Sequence, residues 1–121
     1  MTSKADEYVL TSRELLAKAE EALSQNDLLQ ASEKGWGAAA HMVKGVAEKR
    51  GWRHDGHREL YQVVTRLAQE TSDSELGVLF SVANALHSNF YEHWMTKEVI
   101  EEDLARVREF LRKLEGLPQP L

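Results

Sequence analysis

No cysteine occurs in the 121 residues, which excludes disulfides, thiolate zinc sites and cysteine nucleophiles together. A disulfide-stapled secreted scaffold is therefore ruled out. Proline is almost as scarce. Its two copies, Pro118 and Pro120, stand among the last four residues, so the 117 positions before them hold no obligate helix breaker. No apolar run approaches the roughly 20 residues that a membrane-spanning helix needs, and Met1 to Leu10 is polar and charged. No membrane association and a cytoplasmic location are the expectation. Positive charge is in deficit: 15 Lys+Arg against 20 Asp+Glu leave a formal net charge of -5. A whole-surface attraction to nucleic acid or anionic lipid is thereby excluded, and any such contact must be a local patch. Alternating strand patterns, internal repeats and low-complexity stretches are missing too, as are G-x-S-x-G and a glycine-rich phosphate loop.

What remains is material for helices. Hydrophobic residues make up 42% of the chain and charged residues 29%, enough to pack one interior and too apolar for disorder. At this length a single domain over residues 1–121 is expected, with a core at about 3–115 and a tail at 116–121. Ala5, Tyr8, Val9, Leu16, Ala19 and Leu23 recur as one face of a first helix from about Ser3 to Gln25. Asp27, with Gln30 three residues on, forms a box-like cap for a second helix that runs to about Arg50 and stops at Gly51. Trp52 to His57 lacks a helical period and reads as a loop, after which Leu60, Val63, Val64 and Leu67 mark a short third helix. Ser74 caps a fourth helix, whose stripe is Leu76, Leu79, Phe80, Ala83, Leu86, Phe90 and Trp94. Thr96 caps a fifth, with acids early, Arg106, Arg108, Arg112 and Lys113 late, and Val99, Leu104, Val107, Leu111 and Leu114 on its buried edge. The fold expected is all-α: four long helices in an up-and-down antiparallel bundle, with one additional short helix in the central connection.

The second helix has two faces. With Trp36, Ala39, Ala40, Val43, Val46 and Ala47 turned inward, Gly37, Ala38, His41 and Gly45 fall on the opposite side. Two glycines in a helix interior each cost about 1 kcal/mol against alanine, which implies close packing there. Either another helix of the same chain or a second copy across a two-fold axis would satisfy it.

Two segments could carry chemistry. In Leu86 to His93, helical geometry puts His87 on the apolar stripe and sets Asn89 and His93, four apart, together on its flank. A histidine exchanges protons near neutral pH, and an asparagine can orient a phosphate or carbonyl oxygen, so Asn89 and His93 form a candidate acid–base pair. His87 reads either as a hydrogen-bonded core residue or as a phosphate contact. In residues 44–58, Lys44, Lys49, Arg50, Arg53 and Arg58 face Glu48 and Asp55, five cations against two acids, a local +3. Lys44, Arg50, Trp52, Arg53 and His57 are the candidate ligand-binding set, with Trp52 available to stack on a base. Cations also simply favour a helix C-terminus. No Glu or Asp stands three residues before His41 or His87, so the inward Glu-x-x-His set of a di-iron bundle is missing, and no metal or other cofactor is expected.

Ala31-Ser32-Glu33-Lys34-Gly35-Trp36-Gly37-Ala38-Ala39, Arg50-Gly51-Trp52 with His57 after it, and Ala85-Leu86-His87-Ser88-Asn89-Phe90-Tyr91-Glu92 together resemble the HEPN superfamily, and within it the small PaREP1-like branch. The resemblance covers about residues 5–115. It implies a cytoplasmic helical bundle that dimerises, often beside a nucleotidyltransferase partner, and, in catalytically active relatives, a metal-independent ribonuclease. Their motif pairs an arginine, often followed by a polar residue, with a histidine four to six positions on. Here His93 takes the histidine place and Asn89 the polar place, while Ser88 and His87 stand where the arginine belongs. Serine supplies no permanently charged fork for a phosphate, and histidine does so only when protonated. The functional expectation is therefore a non-catalytic or weakly active homodimeric interaction module that binds nucleotide, RNA or a nucleotidyltransferase-type protein. The alternative is a toxin-like ribonuclease using Asn89 and His93, with His87 on the phosphate.

Overall fold

A computed structural model describes residues 1–118; Pro120 and the end of the expected tail lie outside the described residues. Five helices follow in order: α1 Lys4–Ser24, α2 Leu28–Arg50, α3 His57–Thr71, α4 Glu75–Glu92 and α5 Lys97–Glu115. No strand occurs among the described residues. One hydrophobic core draws side chains from all five helices, and α2 is its axis, packed on α1, α3, α4 and α5.

The helix ends follow the sequence with a few departures. Asp27 accepts from the Gln30 N–H and Thr96 from the Val99 N–H as expected, and Ser3, at the start of α1, accepts from the Asp6 N–H, so each satisfies an orphan donor. The box at Asp27 is only half built, because the Gln30 side chain bonds Lys34 instead of reaching back. Ser74 does not cap α4 through its side chain; Asp73 does so, accepting from the Glu75 N–H at 3.1 Å. Lys113 of α5 reaches the same Asp73 at 2.8 Å, a hydrogen bond that holds the Asp73 carboxyl below its ordinary range. Gly51 closes α2 at φ 71, a left-handed position that glycine adopts without steric penalty. His57 is the first residue of α3 rather than part of the loop before it.

Small residues on α2 let four neighbours crowd one helix. The face with Gly37, Ala38 and Gly45 packs against α1, not a second copy. The buried Ser12 hydroxyl donates to the Ala38 carbonyl at 2.6 Å. A Cβ on Gly45 would lie 3.0 Å from Val9 Cγ2 and 3.3 Å from the Ala5 carbonyl oxygen. The within-chain reading of that face therefore holds, and the two-fold seam expected there as its rival is displaced.

Large core side chains come from α4 and α5. Phe80 stacks near Phe110, Trp36 and Tyr61, with ring centroids 5.6, 5.4 and 4.7 Å away. Ile100 and Phe110 are fully buried, although the apolar spacing of α5 drew attention to their neighbours. Phe90 is only half-buried and Trp94 is 55% exposed, because α4 stops before the expected stripe is complete.

Replacing Gly45 with Leu should push α1 off α2 and cost roughly 1–3 kcal/mol of stability or more. Urea unfolding reads it directly: a lowered midpoint is expected, and an unchanged one would mean that α1 leaves room beside Gly45.

Candidate functional site

Glu33 and Trp36 stand one turn apart on α2, and Asn84 and His87 one turn apart on α4. Between them, at the first turn of α3, comes His57. The Nδ1–H of His87 donates to Glu33 Oε1 at 2.9 Å, and the Nε2–H of His57 donates to Asn84 Oδ1 at 2.7 Å. Each acceptor engages one ring nitrogen, leaving His57 Nδ1 and His87 Nε2 without a hydrogen-bond partner among the described residues. Trp36 lies against both, its ring centroid 4.8 Å from His57 and 5.2 Å from His87, and the two imidazoles are 5.8 Å apart. All three rings are within 30° of parallel. Tyr61 tilts against His57 at 5.9 Å and Tyr91 meets His87 edge-on at 5.4 Å.

Depth decides what this cluster can do. Trp36 is 9% exposed and forms the floor, whereas His57 is exposed and Tyr91 is 68% exposed. The side chains of His87 and Glu33 keep 31% and 30% of their surface, so water screens their pairing, and it holds geometry more than it adds stability. The cluster offers flat aromatic faces and two open ring nitrogens within reach of solvent. That is the chemistry that takes up a planar, hydrogen-bonding ring such as a nucleobase.

Of the sequence candidates, His57 and His87 meet here; the others do not. Asn89 is 1% exposed and both of its polar atoms are hydrogen-bonded. Its Oδ1 accepts from the Trp94 and Met95 N–H groups at 2.9 and 2.7 Å, and its Nδ2 donates to Ser32 Oγ at 2.9 Å. His93 is the left-handed cap that ends α4, at φ 56, and is exposed. The i, i+4 geometry expected to pair Asn89 with His93 fails because the helix stops between them. The buried asparagine replaces the backbone partners that the turn has lost.

The basic set is likewise divided. Arg50 pairs with Glu70, donates to the Pro118 carbonyl at 3.4 Å and lies over the Trp52 ring at 5.1 Å. Arg66 lies over the same ring at 4.0 Å, so two guanidinium groups occupy the indole expected to stack on a base. Arg53 pairs with Asp55 at 3.2 Å, which lowers the Asp55 carboxyl from its usual range. Lys44 joins none of these ion pairs among the described residues. His54 donates to Glu48 at 2.7 Å, and His41 to the Gly37 carbonyl at 2.8 Å. No three His, Asp or Glu side chains among the described residues converge as a metal would require.

Trp36, Glu33, Asn84, Tyr61 and Tyr91 were not among the candidates. Trp36 reads as core from its stripe, which is half its role. The signal available was the pairing of i, i+3 sets, Glu33 with Trp36 and Asn84 with His87, on two helices that pack together.

Asn89→Ala should cost roughly 2–4 kcal/mol, because two N–H groups at the α4–α5 corner and the Ser32 hydroxyl lose a buried partner. By contrast, His93→Gly should leave the fold intact and stabilise it by about 0.5–1 kcal/mol, since glycine meets no Cβ clash at a left-handed position. Thermal denaturation of both variants tests the corner, and a harmless Asn89→Ala would contradict it.

A family model described as the archaeal PaREP1/PaREP8 family matches residues 7–111. No curated protein matches the chain. Among solved structures, the chain is similar to a crystal structure of a protein from Sulfolobus solfataricus, with a TM-score of 0.76 and 20% sequence identity over 88% of this chain and 94% of that one. That likeness concerns the fold alone. No described helix is long and apolar enough to cross a membrane.

Proposed function

The chain belongs to the archaeal PaREP1/PaREP8 family, and from that premise we propose that it is a HEPN-type homodimeric interaction module that binds a nucleotide or a single-stranded RNA segment at the Trp36–His57–His87 cluster. The observation that carries this is the set of three near-parallel rings under an exposed tyrosine, with two imidazoles each held through one ring nitrogen, by Asn84 and Glu33. In this reading α1, α2, α4 and α5 form the up-and-down bundle and α3 is the added helix that brings His57 to the site. The three segments that carry the HEPN resemblance support it: each contributes at least one residue to the cluster, Glu33 and Trp36, His57, or His87 and Tyr91. A base would lie on the exposed faces of His57 and Tyr91 and hydrogen-bond to His57 Nδ1 or His87 Nε2, while Trp36 backs the imidazoles. The geometry favours binding over a nuclease acting through Asn89 and His93, because Asn89 is sealed in the core.

Dimerisation, in the same reading, uses the outer face of α4. Between Glu75 and Glu92 that helix carries no Asp, Glu, Lys or Arg. With Tyr61 of α3, its Gly77, Val78, Ser81, Val82 and Ala85 line a shallow groove, and Val78 is 63% exposed. A two-fold contact there would set the two clusters beside one shared groove, where a nucleotidyltransferase-type partner could also dock.

Binding of short fluorescent oligoribonucleotides and of mononucleotides tests the site. His57→Ala and Tyr91→Ala should each weaken binding roughly 5- to 100-fold, as loss of one stacking partner does, while Arg53→Ala, outside the cluster, changes it little. Equal affinity in all four proteins would remove the assignment. Light scattering tests the assembly: a dimer is expected, and Val78→Asp should give a folded monomer. A monomeric parent protein would overturn the dimer.

A further inference from the structure

On the side of α2 turned toward α1 and the end of α5, a cavity of about 170 Å³ opens. None of the cluster residues lines it. Its apolar lining comes from Val9 of α1, Met42, Gly45 and Val46 of α2, and Leu114, Leu117 and Pro118 at and beyond the end of α5. Gly45, which lies tight against Val9 and the Ala5 carbonyl, also lines it. A cavity of roughly 150 Å³ with apolar walls is enough to take up a benzene ring.

The rest of its lining is charged, and unequally so. Arg13, Lys49 and Arg50 stand on it against Glu115 alone, three cations to one carboxylate. Two of the cations are already engaged. Arg13 donates to Glu115 at 2.9 Å and Arg50 pairs with Glu70. Lys49 makes no ion pair among the described residues. It stands in the last turn of α2, in a chain whose overall charge is -5. A ring-sized space whose lining combines apolar side chains with an excess of cations, Lys49 among them without an ion pair among the described residues, suits an amphipathic anion, its hydrocarbon part desolvated and its charge on a cation.

We infer that this cavity is a binding site for a small aromatic or branched-chain carboxylate, its hydrocarbon against Met42, Val9 and Val46 and its carboxylate on Lys49. A free anion of this kind is a different ligand from the base-stacking one proposed for the His57 face. Binding would draw α1, α2 and the end of α5 together.

Benzoate is the probe, and benzyl alcohol is its uncharged counterpart of nearly the same size. Titrations of methyl-labelled full-length protein followed by NMR should show saturable shifts at Met42, Val9 and Val46. Benzoate should bind about tenfold more tightly than benzyl alcohol, the difference that one charge-assisted hydrogen bond makes. Lys49→Gln should abolish that preference while leaving the spectrum otherwise unchanged, and Val46→Phe, which fills the space, should abolish both titrations. Shifts that fail to saturate, or equal affinity for the two probes in the parent protein, would overturn the assignment. RNA binding at the cluster is read separately and does not bear on either outcome.

Discussion

Everything in this fold hangs on how closely α1 approaches α2. A helix that touches four others must have small residues where the closest neighbour lies, and α2 puts Gly37, Ala38 and Gly45 there. Glycine in a helix interior is unfavourable in itself, by about 1 kcal/mol. The loss is offset because close backbone approach brings Val9, Leu15 and Leu16 of α1 onto the core and lets the Ser12 hydroxyl reach the Ala38 carbonyl. Since that side of α2 is committed to α1, the remaining arc, with Ser32, Glu33, Gly35 and Trp36, is turned toward α4 and α5.

From that arc two polar tethers cross to α4. Ser32 Oγ accepts from Asn89, and Glu33 Oε1 accepts from His87. One is buried and the other half-exposed, so they act differently. A buried amide–hydroxyl pair must be made or the fold loses a satisfied donor, which fixes the sliding register of α4 on α2. The outer pair, screened by water, adds little stability but inherits the register and so orients His87. His57 is set in the same indirect way, through Asn84. The candidate site is thus a surface consequence of core packing, with Trp36 common to both.

The sequence made the helices legible because their caps are chemical and local. Asp27, Gly51 and Thr96 each act where they stand. The apolar face of α3 and most of that of α4 were legible for the same reason of period. The errors arose where a tertiary contact replaced a local one. Asn89 looks, by spacing, like half of an acid–base pair with His93; in the folded chain the helix ends first, and the amide substitutes for lost backbone partners. Ser74 has the composition of a cap, and Asp73 takes the role because Lys113, forty residues away in sequence, holds its carboxylate there. The site itself was half legible. His57 and His87 were singled out by residue type, but their meeting over Trp36 depends on how α2, α3 and α4 pack, which no single-helix periodicity encodes.

The pattern of charges bears on what the cluster can bind. Basic residues at the end of α2 look in sequence like a phosphate-binding patch, yet Arg50 and Arg53 are each taken up by a carboxylate, and Arg66 lies over Trp52. A cation in an ion pair releases no counterion from a nucleic acid unless it first gives up its partner. For the proposed RNA-binding role, a net charge of -5 limits what phosphate contact adds to affinity, although Lys44, Lys49 and Arg58 join no ion pair among the described residues. In that proposed role, recognition rests mainly on stacking and on ring-edge hydrogen bonds, the two things His57, His87 and Tyr91 offer. Such binding falls only shallowly with salt and distinguishes an unpaired base from a duplex, whose bases are already stacked on one another. On the proposed reading, single-stranded or mononucleotide ligands therefore suit this surface better than double-stranded ones.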